Sequence, residues 1–203
     1  MKTLQIATLL VLTVFNSLSI GTNTILGYKI GDVIEDFNLK NVDGKMVSLA
    51  DYKDAKGFII TFTCNTCPYA QMYEDRIIEL DKKYAPLGYP VIAIMPNNTQ
   101  VKPGDSFDEM KKRSQVKGYT FPYLIDEKQE VYPKFGATKT PHMYVIQRTK
   151  KGNVVEYIGA IDDNYKDAAS VSKKYVEDAV NALLAGKEVQ EKETRAIGCS
   201  IKV

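Results

Sequence analysis

GFIITFTCNTCPYAQMYEDRIIELDKKYA, residues 57–85, changes its pattern part-way along. Up to Thr63 it is an almost unbroken apolar and β-branched run, the pattern of a strand buried on both faces at the centre of a sheet. From Pro68 onward, Tyr69, Met72, Tyr73, Arg76, Ile77, Leu80 and Tyr84 recur at three- and four-residue steps. That spacing predicts an amphipathic helix with proline near its first turn. Cys64 and Cys67 fall at the handover between the two patterns.

Working outward, DFNLKNVDGKMVSLADY (36–52) alternates about Asp43-Gly44, a dipeptide suited to a tight hairpin turn, so an antiparallel hairpin opens the domain. YPVIAIMP (89–96) predicts a second buried strand, and GDSFDEMKKRSQVKG (104–118) a second helix capped by Asp105 or Ser106. The polar loop Asn97 to Gly104 between them is expected to be exposed. FPYLIDE is a further strand, QEVYPKFGATKT a short helical or turn segment, and PHMYVIQRTKKGNVVEYIGAID two strands about a Lys-Lys-Gly-Asn turn. A helix from about Ser170 to Ala185 closes the order. The sequence therefore predicts an α/β domain over residues 28–186, a central mixed β-sheet flanked by helices, with a tail at 187–203 that carries Cys199.

The 203 residues, 44% hydrophobic, suffice for one domain with its own core. Lys and Arg number 27 against 25 acidic residues and form no dense cluster, which argues against nucleic acid as a partner. Residues 1–21 have a different character: Lys2, the apolar run LQIATLLVLTVF, then small residues, and no acid before Asp32. This is the pattern of a signal peptide rather than of a spanning helix, which needs about 20 apolar residues. The expected location is secreted or periplasmic, with no stable membrane insertion after cleavage and an uncleaved anchor as the alternative. In such an oxidising compartment a cysteine pair without a reductant rests as a disulfide.

At the start of a helix, free backbone N–H groups and the helix dipole favour a thiolate. On that ground Cys64 is expected to be the attacking sulfur and Cys67 the one that resolves a mixed disulfide. A purely structural disulfide is the competing reading, although so small a ring removes little chain entropy. Cys64, Cys67, Cys199 and the single histidine, His142, add up to a Cys3His zinc set, and soft sulfur with imidazole also suits copper. The second close ligand pair usual in compact zinc modules is missing, so no metal or other cofactor is expected.

FIITFT, then CNTC opening a helix, then KTPHMYVI entering a late strand together resemble the thioredoxin fold. GDVIEDFNLKNVDGKMVSLADY resembles the opening of the AhpC/TSA (redoxin) branch, and CNTCPYA, TPH, YIGAIDDN, ALLAGKEV and IGCSIK are similar to its peroxiredoxin-like subfamily. The resemblance implies a cis peptide at Thr140-Pro141 facing the cysteines, with Thr140 and Pro141 shaping an edge for a substrate chain. It also implies protein thiols or disulfides, or a redox partner protein, as substrates. Thr61 and Cys64 satisfy the T-x-x-C part of the peroxidatic element, but Gly57 replaces its proline, and Pro141 and His142 fill the place before MYVI where the arginine belongs. Without a fixed cation beside the developing oxyanion, disulfide exchange ranks above reduction of hydroperoxides by a thiol peroxidase. A non-enzymatic metal-binding protein is the further alternative.

His142 is either a tuner of the thiolate or a polar residue at a strand start. Cys199 is a second resolving thiol, a partner for another chain, or a free cysteine. Tyr69, Tyr119, Tyr123 and Tyr144 are read as core before groove. The acids of IDDN, 161–164, are read as a turn or cap without chemistry. Asn97-Asn98-Thr99 is a glycosylation sequon, relevant to a eukaryotic secretory setting.

Overall fold

Residues 27–203 are described by the structure, a computed structural model; the segment read as a signal peptide lies outside them. The described strands are β1 (Val33–Ile34), β2 (Leu39–Asn41), β3 (Met46–Val47), β4 (Gly57–Phe62), β5 (Val91–Met95), β6 (Tyr123–Ile125), β7 (Lys139–Thr140), β8 (His142–Thr149), β9 (Gly152–Gly159) and β10 (Cys199–Ser200). All but β7 and β10 join one mixed sheet in the order β1-β9-β8-β4-β5-β6-β2-β3. β4, whose six residues are all buried, pairs parallel with β5 and antiparallel with β8.

Parallel neighbours need crossovers, and helices α1 (Pro68–Tyr84) and α2 (Phe107–Lys117) supply them between β4, β5 and β6. Because the sheet grows in one direction through these strands, right-handed crossovers bring both helices to the same face. α4 (Tyr175–Leu184) joins them there, and the three helices cover Ile59, Ala93, Tyr123, Met143 and Val145. The opposite face, lined by Phe58, Ile60, Phe62 and Tyr144, is covered by α3 (Val131–Phe135) and by Ile34, Phe37 and Leu49 of the N-terminal segment. The expected hairpin is present: β2 and β3 pair about Asp43-Gly44, where Gly44 takes the positive φ that the turn requires.

Two local expectations hold only in part. Ser106 stands at the N-cap of α2 without a side-chain cap bond, and Asp105 points inward with no exposed surface. The loop from Asn97 to Gly104 is only partly exposed, because Asn97 is buried against Asp105. Asn97 is 4% exposed and its amide points at Asp105, which leaves no room for a glycan, so the sequon does not fit the folded chain.

The segment read as a tail is part of the fold. Thr194 N–H donates to Ile158 O, and β10 pairs antiparallel with β7, Cys199 opposite Thr140. Lys202 N–H donates to Asn97 Oδ1 at 2.9 Å while its carbonyl accepts from Asn98 N–H and from Gln129 Nε2.

Candidate active site

Cys64 follows the end of β4, and Cys67 is the extended N-cap residue of α1, with Pro68 as the first helical residue. The two are almost equally covered, 4% and 3% exposed, so exposure does not single out Cys64 as the attacking sulfur. Thr140 faces both: its hydroxyl lies 3.3 Å from Cys64 Sγ and its carbonyl oxygen 3.1 Å from Cys67 Sγ. The Thr140-Pro141 peptide is cis.

The loop between the cysteines is held from below. Asp105 Oδ1 accepts the backbone N–H groups of Asn65 (2.9 Å) and Thr66 (3.0 Å), and its other oxygen accepts from Thr66 Oγ1 and Asn97 Nδ2. Asn65 in turn accepts from Tyr123 OH and donates to Gly104 O, and Gln71 Nε2 donates to the Asn65 carbonyl. Sequence reasoning missed Asp105 in this role because nothing local distinguishes a helix cap from a buried carboxylate whose partners lie about forty residues away.

Donors converge on Cys67. The Cys64 thiol first, then the Cys199 thiol and the N–H groups of Ala70 and Cys199, hold its thiol well below the usual range, down to about 4, against the opposing effect of burial. The Thr140 carbonyl works the other way, since it favours an S–H, but the donors outnumber it. Cys64 is pushed up, by donating its S–H to Cys67, by burial and by the negative charge of Asp105. The pair titrates as a unit, with Cys67 the lowered member and Cys64 the raised one. The expectation put the thiolate on Cys64; the donors favour it on Cys67, the residue that forms the helix cap.

The remaining candidates separate. His142 pairs with Phe62 across β4 and β8 and stacks near Tyr144, on the sheet face opposite the cysteines. Its Nδ1 accepts a long bond from Thr138 N–H, and burial lowers its pKa to about 4, so it is neutral at neutral pH and does not tune the sulfurs. This placement also splits the ligand set weighed for zinc or copper. Thr61 is fully buried and its hydroxyl has no hydrogen-bond partner, so it bonds to neither sulfur. Tyr119, Tyr123 and Tyr144 spend their hydroxyls on Glu74, Asn65 and Phe135 O rather than on a groove. Asp162 of IDDN is a buried anchor for Arg76 and Tyr73. Cys199, half-buried, is brought directly to Cys67: its N–H lies 3.4 Å from Cys67 Sγ.

A strand delivering two cysteines to a helix start, opposite a Thr-cis-Pro step, within this sheet order, is a thioredoxin-like arrangement. Residues 30–157, more than half of the chain, match the AhpC/TSA family. This chain belongs to that family. The AhpC/TSA chain is similar to a conserved protein of Geobacillus kaustophilus, 37% identical, with a TM-score of 0.80 over 86% of this chain and 92% of that one. The thiol-disulfide oxidoreductase ResA of Geobacillus thermodenitrificans is 25% identical over 122 residues, 60% of this chain. That match spans 66% of ResA, just under two thirds of its length. The exposed lipoprotein thioredoxin Etrx1 of Streptococcus pneumoniae shares the fold, with a TM-score of 0.54 at 20% identity over 75% of this chain and 99% of Etrx1. No helix among the described residues is long and apolar enough to cross a membrane.

Proposed function

We propose that this AhpC/TSA protein is a thiol-disulfide oxidoreductase that uses Cys64 and Cys67 as a dithiol/disulfide centre on protein substrates in an oxidising compartment. The observation that carries the reading is the contact of one residue, Thr140, with both sulfurs at the strand-to-helix handover. The similarity to ResA and the signal-like pattern of residues 1–21 support it further.

With Cys67 lowered and Cys64 raised, the reduced centre on this reading carries its charge on Cys67 and Cys64 donates its S–H to it. Cys67 thiolate therefore acts as the base for Cys64. As Cys64 attacks one sulfur of a substrate disulfide, its proton passes to Cys67, a Cys64–substrate bond forms, and the other substrate sulfur leaves as a thiolate. Cys67 then attacks Cys64, its proton goes to the departing substrate sulfur, and the pair is left oxidised. The substrate gains two electrons and the centre loses them. The reverse sequence oxidises a dithiol.

Incubation of a Cys67→Ser variant with a disulfide-linked peptide tests the reading. A stable mixed disulfide on Cys64, absent from Cys64→Ser, is expected by mass spectrometry. Absence of the adduct, together with no exchange by the wild-type protein, overturns it. Peroxide-dependent sulfenic acid without exchange assigns a thiol peroxidase instead.

A further inference from the structure

β7 is two residues long, and its open edge is the one beside Thr140 and the cysteines. In this structure that edge is filled by the chain itself. β10 pairs with it in antiparallel register, Cys199 opposite Thr140 and Ser200 opposite Lys139, and Ile201 N–H adds a bond to Thr138 O. The approach is so close that a Cβ on Gly198 would stand 2.2 Å from Thr140 O and 3.1 Å from Pro141 N. Lys202, clamped by Asn97, Asn98 and Gln129, fixes the far end of the segment.

Strand addition to an exposed edge is a general way of holding an extended peptide, with backbone bonds giving affinity and side chains giving register. Here the register presents a thiol. Cys199 N–H and thiol both reach Cys67 Sγ, which also accepts from the Cys64 thiol. Cys67 is therefore the middle member of three adjacent sulfurs. A lone cysteine at a chain end has no reason to be aligned in this way; paired strands, a glycine-only approach and a terminal clamp align it.

We propose that β10 is a tethered substrate and Cys199 a third redox thiol. In the oxidised centre, Cys199 attacks Cys67, the Cys64–Cys67 bond breaks, a Cys67–Cys199 bond forms, and the proton of Cys199 ends on Cys64. No electrons enter or leave, because one disulfide replaces another. The product keeps two oxidising equivalents on the chain and frees Cys64 as the nucleophile. Reduction of the Cys67–Cys199 bond by a dithiol returns all three thiols. An external protein chain reaches the same edge only after β10 leaves it. The proposal rests on the oxidoreductase reading of the Cys64/Cys67 pair.

The test is disulfide mapping of the full-length protein after oxidation by oxidised dithiothreitol and acid quench, with free thiols alkylated. Tryptic cleavage puts Cys64 and Cys67 on one peptide, residues 57–76, and Cys199 on another, residues 196–202. Expected in the wild type are both an internally bridged 57–76 peptide and a cross-linked pair joined through Cys67, with the alkyl label on Cys199 in the first and on Cys64 in the second. Cys64→Ser is expected to oxidise to the intramolecular Cys67–Cys199 bond. An internal Cys64–Cys67 bridge with Cys199 always alkylated, and a Cys64→Ser variant that keeps both thiols, overturns the third-thiol proposal and leaves the oxidoreductase reading standing. Absence of any disulfide at Cys64 or Cys67 overturns both. If Cys64→Ser does not fold, as seen by circular dichroism, the wild-type map decides alone.

Discussion

Asp105 Oδ1 accepts the backbone N–H of Asn65 at 2.9 Å, forty residues away in sequence, and thereby sets the conformation of the loop between the two cysteines. The carboxylate is fully buried, and its four hydrogen bonds go to Asn65, Thr66 twice and Asn97. Asn97 carries the link onward to Lys202, so one carboxylate braces both the cysteine loop and the C-terminal segment laid over it. The opening of α2 is thus organised around the reactive loop instead of around its own cap.

Replacing Asp105 by alanine strands two buried N–H groups of the loop. A loss on the order of 3 kcal/mol in unfolding free energy is expected from chemical denaturation, since buried donors without partners cost about 1–3 kcal/mol each. Asp105→Asn removes the charge that helps hold Cys64 protonated, so the second ionisation of the pair falls in a thiolate titration. An unchanged second ionisation in Asp105→Asn refutes the electrostatic part of this account.

The reduced protein is expected to carry one thiolate at neutral pH, lost with a midpoint near the lowered value of Cys67, about 4. Ultraviolet thiolate absorbance measures it. Cys64→Ser removes the largest donor to Cys67 and shifts the midpoint upward, whereas Cys67→Ser abolishes the low-pH step. The linkage sign follows from the same displacement. Cys67, lower in the folded state than the ~8.5 of a free thiol, contributes stability that is complete above that value and is lost as pH falls toward about 4. Cys64, raised in the folded state, contributes in the opposite sense: its share is present below ~8.5 and is lost as pH rises beyond it.

His142 gives a prediction of a different kind, because burial lowers its pKa to about 4 without any bond to sulfur. Its stabilising effect as a neutral ring is present above ~6.5 and is lost as pH falls from there through about 4. His142→Phe is expected to flatten the acid limb of the stability curve in that window while leaving the thiolate titration unmoved. A change in the thiolate midpoint would restore His142 to the active site.

Most of the fold was legible because the decisive signals are periodic and local. The apolar run 57–63 could only be a central strand, the helix after Pro68 follows from its spacing, and Asp43-Gly44 marks its own turn. What escaped was long-range. Nothing in the residues around Asp105 announces that its partners lie at Asn65 and Thr66, and period-two counting does not tell which face of the sheet receives His142. The helix start alone points to Cys64, whereas the lowered thiol is Cys67, whose donors include the N–H of Cys199, 132 positions further along the sequence. Residues 187–203 read as a tail because short β10 and a series of backbone bonds leave no hydrophobic periodicity to detect.

Gly198 is where that C-terminal segment is most sensitive to substitution. A methyl group there would meet the backbone of Thr140 on one side and of Pro141 on the other, and neither is a flexible side-chain end that swings aside. Gly198→Ala is therefore expected to lift β10 from β7, withdrawing the N–H and thiol of Cys199 from Cys67. Alkylation of the site by iodoacetamide should accelerate roughly tenfold or more, since the lost pairing is worth at least one hydrogen bond of about 1 kcal/mol plus the Lys202 anchors. The thiolate midpoint should rise in the same variant, because two of the donors to Cys67 have gone. The sheet from β8 to β6 does not depend on β10, so far-ultraviolet circular dichroism should be preserved. Wild-type alkylation rates in Gly198→Ala would mean that the cysteines are reached by some path β10 does not cover.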